Sequence, residues 1–298
     1  QIIDVDSTVY LRLREAGAIL VAKLSSGALA LSAQWFGGLT RNPWNTTQDS
    51  AGSSAGPGAA TAAGLVAFSI GTDTGGSVIS PSARNGLSGM RPTFGRVSRY
   101  GAMALAWTQD TVGPMCRSAE DCALVFNAIY GPDGKDNSVL DAPFAWDSSA
   151  EVTKLRVGYL RSLFAANATG QTPLQQQTRR NYEEALRVIR ALGVQVVPFD
   201  LPEVAIEAID FIRYAETAAA FDEPTRNGTI RDIERGPEQS SRPAEIRPAR
   251  FIPAMEYIQA NRYRLRVMEQ MDAAMSGLDL FLGADWLLTN RLGYPIVS

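Results

Sequence analysis

The chain has 298 residues, 45% of them hydrophobic and 20% charged, with a formal net charge of −3 and a pI near 5.2. That is ordinary globular composition, and the weakly acidic balance argues against nucleic acid as a main partner. No apolar run is long enough to span a membrane. Histidine is absent, which excludes Ser-His-Asp and Cys-His catalysis and any His-containing zinc site within these residues, and lysine occurs only as Lys23, Lys135 and Lys154. The first residue is Gln1 rather than Met, and no signal peptide opens the sequence.

In chain order, "DSTVYLRLREAG" predicts a helix capped by Ser7 and stopped at Gly17, with Val9, Leu11, Leu13 and Ala16 on its apolar side. "AILVAK" reads as a buried strand ending at Lys23, and "FGGLTRNPWNTTQDSAGSSAG" as an ordered, turn-rich loop. The alanines 59, 60, 62 and 63 favour a short helix, after which "LVAFSIG" reads as a second buried strand. Ser118 with Asp121 resembles a capping box for a helix through "EDCALVFNAIYG". The two cysteines, Cys116 and Cys122, are too few for a disulfide framework and are expected to pack in the core.

Past the polar stretch "GPDGKDNS" to "FAWDSSAEVTK", the strand "LRVGYL", the amphipathic helix "QQQTRRNYEEALRVIRALG" and the strand "VQVVPF" form a strand–helix–strand unit with parallel pairing expected. "EVAIEAIDFIRYAETAAAF" and "PAMEYIQANRYRLRVMEQMDAAM" read as helices and "LDLFLG" as a last strand, with "RNGTIRDIERGPEQSSRPAEIRPARF" a charged loop between the helices. The class is α/β, with a mixed sheet covered by helices on both faces.

Two glycine-serine knots, "GSSAG" and "GTDTGGS", carry the chemistry. Glycine costs roughly 0.5–1 kcal/mol inside regular structure, so such clusters mark sharp turns or close backbone approaches. Neither knot matches a phosphate-binding loop or the dinucleotide fingerprint, and either alone reads as a tight turn. Together they suggest more. Ser77 follows two glycines just past a buried strand, where converging amides of Thr74 to Ser77 form an oxyanion hole, and Ser53 and Ser54 offer hydroxyls that pass a proton. On the residues alone the reading is a serine acyl-transfer site without histidine.

The segment from "GSSAGPGAATAAG" through "GTDTGGSVISPSARNGLSGMRPTFGRVSRYGAMA", with "LREAGAILVAKL" and "TRNPWN" upstream and "WTQDTVGPMCRSAEDCALVFNAIYGPDGKD", "YIQANRYR" and "LLTNRLGYPIVS" downstream, resembles the amidase signature family. The resemblance covers nearly the whole chain, weakly between about residues 202 and 249. It implies one large amidase-type domain over residues 1–298, with a serine-site core at 1–140 and residues 151–298 as its second half. It implies Ser77 as the nucleophile, Ser53 as a cis-peptide serine relay, the backbone of Thr74, Gly75, Gly76 and Ser77 as the oxyanion hole, and Ser54, Thr72 and Asp73 as the hydrogen-bonding shell. No cofactor or metal is implied.

The family's catalytic lysine falls upstream of Gln1. Lys23 matches a different lysine position, so the resemblance implies an internal fragment short at both ends. Ile79 stands where the family commonly has arginine. The expected activity is hydrolysis of a small-molecule carboxamide through a Ser77 acyl-enzyme, by a cytoplasmic protein that binds no nucleic acid directly, with a homodimer as its candidate assembly. Two other readings remain open: the amidase subunit of a tRNA-dependent amidotransferase, and a non-catalytic binding or scaffold relative.

Overall fold

In the computed structural model, which describes residues 4–165, 172–235, 240–283 and 286–298, most of the elements expected from the sequence are present, together with helices and strands that it does not signal. The helices are α1 (Thr8–Glu15), α2 (Ala55–Ala62), α3 (Ile79–Asn85), α4 (Ala119–Ile129), α5 (Pro173–Ala191), α6 (Glu207–Ala220), α7 (Arg242–Ala249), α8 (Ala254–Met275) and α9 (Trp286–Leu292), with shorter turns between some of them. The principal strands are β1 (Phe68–Asp73), β2 (Ser88–Arg91), β3 (Thr111–Cys116), β4 (Arg156–Leu160), β5 (Gln195–Phe199), β6 (Leu280–Leu282) and β7 (Ile296–Val297).

The described residues divide into two units, one of 1–145, 207–261 and 286–298, the other of 146–206 and 262–285. In the first, an antiparallel sheet has the order β7-β2-β3-β1. Side chains alternate across β3, as a strand requires. Val112 packs with Val9 of α1 and Phe126 and Ile129 of α4, and Cys116 with Cys122 and Val125, while Met115 on the opposite face meets Val78 and Ile79 at the start of α3. Helices therefore cover both faces of this sheet, and both cysteines are buried and unbridged, as expected.

Local signals account for the helix starts. Ser7 accepts a hydrogen bond from the Tyr10 N–H, Ser118 from the Asp121 N–H, and Thr172 with Gln175 makes a full capping box before Pro173. In the second unit β4 lies between β5 and β6 and is parallel to both, with α5 connecting β4 to β5, so the expected strand–helix–strand unit is present. Pro198 sits in β5, an edge strand, the place in a sheet to which proline is largely confined.

Three expectations are corrected. "AILVAK" is not a strand: residues 18–24 carry no regular structure, and Ile19, Leu20 and Val21 are exposed. An apolar run becomes a strand only where a partner takes its hydrogen bonds, and β1, at the end of its sheet, pairs with β3 alone. The loop before the first knot contains two small antiparallel pairs, Gln34–Trp35 with Gly38–Leu39 and Arg41–Asn42 with Asn45–Asp49. The charged stretch after α6 is largely helical, because Phe221, Ile230, Ile246 and Ala249 bury themselves with Leu105 and Ala218; its residues 236–239 lie outside the described residues.

Candidate active site

The second knot is shaped by one carboxylate. Asp73 closes β1 and is fully buried. Its Oδ1 accepts from the Gly76 N–H (2.7 Å), and its Oδ2 from the N–H groups of Val78 (2.7 Å) and Ile79 (3.3 Å). Charge-assisted bonds of this kind are about twice as strong as neutral ones, and three of them wind residues 74–79 into a tight turn that leads into α3. Gly76 takes φ +106, a region that side-chain-bearing residues rarely adopt. The negative charge is balanced by Arg91, whose Nε lies 3.3 Å from Asp73 Oδ1 with both side chains fully buried. Burial pushes the Arg91 pKa down and Asp73 pulls it back up.

The first knot lies directly against this turn. The Ser54 N–H donates to the Ser77 carbonyl (3.1 Å), while Ser54 Oγ accepts from the Thr72 N–H (3.1 Å) and donates to the Thr72 carbonyl (3.2 Å). Glycine permits the approach. A Cβ on Gly71 would stand 2.6 Å from Ser54 Oγ, and one on Gly52 would stand 1.9 Å from the Ser32 carbonyl oxygen. The Gly52–Ser53 peptide is cis. The Ser53 carbonyl accepts from the N–H groups of Gly27 (2.9 Å) and Ala55 (2.8 Å) and from Ser26 Oγ (3.2 Å). Its hydroxyl is 1% exposed with its residue and has no hydrogen-bond partner among the described residues. Ser77 itself is half-buried.

Around the knots sit residues that no sequence motif singles out. Asp110 accepts from Thr74 Oγ1 (2.6 Å) and from the N–H groups of Leu105 (2.8 Å) and Ala106 (2.9 Å). Burial pushes its carboxyl pKa up, and those hydrogen bonds oppose the rise. Gln109 and Arg291 are buried beside Thr74, and Ser26 and Gly27 hold the first knot from outside. No local pattern marks them, since the contacts that tie them to the knots, directly or through Arg291, span tens to hundreds of residues. Ile79, where a charge is common in the family it resembles, is buried and packs with Val78, Met115 and Ile296, so this position belongs to the apolar core.

Two cavities adjoin the knots. One, of about 240 Å³, is lined by Thr72, Thr74, Tyr100, Met103, Trp107 and Asp110 among others. The other, of about 660 Å³, is lined by Ser26, Ser54, Gly71 and Thr72 together with the exposed segment from Ile19 to Lys23. Lys23 thus borders the same cavity as Ser54 while its side chain is exposed. Among the described residues there is no His, Cys, Asp and Glu cluster suited to a metal, and no helix long and apolar enough to cross a membrane.

Residues 2–285 match the family model described as Amidase. The A-subunit of a glutamyl-tRNA(Gln) amidotransferase of Geobacter sulfurreducens is 37% identical over 222 residues, covering 72% of this chain and 44% of that protein. A protein of the same description from Cupriavidus pinatubonensis is 30% identical over 341 residues, covering 98% of this chain and 66% of that protein. Among solved structures, the native peptide amidase of Stenotrophomonas maltophilia aligns with a TM-score of 0.79 at 29% identity, over 98% of this chain and 69% of that one. The chain spans less than half the length of several curated relatives that it matches. A match that runs through both glycine knots and into the second unit makes this chain a member of the amidase family.

Proposed function

We propose that this chain carries the acyl-transfer centre of an amide hydrolase, within a single amidase domain to which both units belong. Ser77 Oγ attacks the carbonyl carbon of a carboxamide, and its proton passes to Ser53 Oγ, which gives its own proton onward to a base. The resemblance implies a lysine as that base. The negative charge that develops on the carbonyl oxygen meets backbone N–H groups of the 74–77 turn. Of the four expected there, the Gly76 N–H is engaged by Asp73, which leaves those of Thr74, Gly75 and Ser77 as donors. One such donor is worth roughly 2.7–4 kcal/mol to the transition state. The returned proton goes to the leaving amine, and water then hydrolyses the acyl-enzyme. Thr72 and Ser54 hold the two knots in register, and the cavity beside Thr74 receives the acyl group.

The observation that carries the reading is the Ser53 hydroxyl. A buried hydroxyl without a partner costs about 1–3 kcal/mol. Ser82 Oγ is in the same state, but of the two only Ser53 lies in a knot, where handing a proton on gives the hydroxyl a role. It also lies in the residue next to the one whose N–H binds the Ser77 carbonyl.

The test uses the full natural polypeptide that includes residues 1–298. A fluorophosphonate probe should label Ser77 and no other serine, and Ser77→Ala should abolish both labelling and hydrolysis of small carboxamides. Labelling elsewhere, or hydrolysis that survives the substitution, overturns the assignment; a protein that is neither labelled nor active is the non-catalytic relative. The second reading is one component of an amidotransferase, favoured by curated relatives described as such. In that case the released ammonia is handed to a partner protein, and purification from its native host should bring that partner along.

A further inference from the structure

Arg291 lies 217 residues from Thr74 in sequence and touches it in the fold. Its guanidinium Nη1 donates to the Thr74 carbonyl oxygen (3.2 Å) and to Gln109 Oε1 (3.0 Å), while Nε donates to Asp210 Oδ1 (2.7 Å) and Nη2 lies 2.7 Å from the same oxygen. The side chain is 4% exposed. The same Nη1 would stand 3.5 Å from a Cβ on Gly75, so the guanidinium is seated against the backbone of the turn that precedes Ser77.

The geometry of one peptide group gives this contact a consequence. Among the described residues the one cis peptide is Gly52–Ser53, so the Thr74–Gly75 peptide is trans and its C=O and N–H point in opposite directions. Holding the oxygen toward Arg291 aims the Gly75 N–H away from it, and no described group accepts that hydrogen. A cation at the oxygen also polarises the peptide, which strengthens its N–H as a donor. We propose that Arg291 is a positioning residue for the oxyanion hole: it fixes the plane of the Thr74–Gly75 peptide so that the Gly75 N–H meets the developing oxyanion. The inference rests on the amide-hydrolase reading of Ser77. It also places near the turn, from α9, a positive charge that position 79 does not supply.

Three acceptors in different directions call for the planar fork of arginine, which the point charge of lysine cannot reproduce. In the full natural polypeptide, Arg291→Ala should therefore lower kcat about 10- to 100-fold, less than the 10²–10³ for deleting a donor outright, with KM changed less than about threefold because the interaction is made in the transition state. The rate of Ser77 labelling by a fluorophosphonate should fall in parallel. Millimolar guanidinium added to Arg291→Ala should restore part of kcat, which a merely structural role would not allow. Arg291→Lys should lie between the two proteins, and Asp210→Asn, which loosens the far end of the fork, should lower kcat by a smaller factor; these two arms decide the matter if Arg291→Ala does not fold. A folded Arg291→Ala, or failing that Arg291→Lys, with unchanged kcat and labelling rate overturns the proposal alone. A rise in KM at constant kcat does the same. A wild-type protein that the probe does not label at Ser77 overturns the hydrolase reading, and this proposal with it.

Discussion

The Ser54 N–H donates to the Ser77 carbonyl oxygen at 3.1 Å, so the two glycine knots meet backbone to backbone. The contact is possible because the strand between them offers no side chain at Gly71, where Ser54 packs. Ser53 thereby lies next to the residue that makes this contact, and Ser77 supplies its acceptor. Asp73 and Arg91 complete the arrangement from below, as a fully buried ion pair. Removing one partner of such a pair costs about 3–5 kcal/mol, so the turn that carries Ser77 is tied to the stability of the whole first unit.

Ser53→Ala separates catalysis from stability. As a relay, Ser53 should account for about 10²–10⁴ in kcat. Because its hydroxyl is buried without a partner, deleting it removes an uncompensated desolvation cost. Steady-state kinetics should show the loss while the thermal midpoint stays level or rises. Unchanged turnover would mean that the two knots are not one site.

Gly71→Ala should push the knots apart. The new Cβ would stand 2.6 Å from Ser54 Oγ, 2.9 Å from Ser54 Cβ and 3.0 Å from Val78 Cγ2, and Ser54 is held by its bonds to Thr72. Overpacking of this kind costs about 1–3 kcal/mol. Urea denaturation should show that loss, together with slower Ser77 labelling. Gly75→Ala, whose Cβ would meet only Arg291 at 3.5 Å and beyond, should cost less stability.

Asp110→Asn gives a pH signature with a definite sign. Burial raises the folded-state pKa of Asp110 above its unfolded value, so its contribution to stability is fully present below that value and is lost as pH rises through the folded pKa. The Asn variant has no such titration. Measured by urea midpoints from about pH 3 to about pH 7, its stability relative to wild type should increase with pH across the window between the two pKa values. A relative stability that falls with pH would show that the bonds from Thr74, Leu105 and Ala106 outweigh burial.

Lys23→Ala tests the lysine that borders the same cavity as Ser54. Its side chain is exposed, and substitutions of exposed residues away from special contacts usually change free energies by no more than about 0.5 kcal/mol. In the full natural polypeptide, kcat should therefore change by less than about threefold. A loss of about 10² or more, the scale of a deleted general base, would make Lys23 the base that drains Ser53.

Much of this architecture is written locally. Ser7, Ser118 and Thr172 cap their helices through bonds that span three residues, and the β4–α5–β5 unit announces itself by a change of apolar period. The elements that escape a local reading are those whose identity is decided at a distance. Gly113 and Pro114 hide β3, a strand with a partner on either side; at Gly113 a Cβ would stand 2.0 Å from the Met90 carbonyl oxygen of β2, so the close approach of that strand calls for glycine. Residues 18–24 carry the pattern of a strand and lack the partner that would make them one.

The same division runs through the candidate site. The sequence shows the two knots of serines and glycines on which the proposed chemistry rests, the lack of histidine, and the family to which the pattern belongs. It does not show that Ser54 binds Ser77, that Asp73 winds the turn and faces Arg91, that position 79 is core, or that Arg291 holds the Thr74 carbonyl. Spacing along a chain carries the first kind of information because turns, caps and periods are short-range. The second kind depends on which groups are left buried with an unmet charge or hydrogen bond once distant segments pack, and that is settled only when the fold brings their partners within about 3 Å.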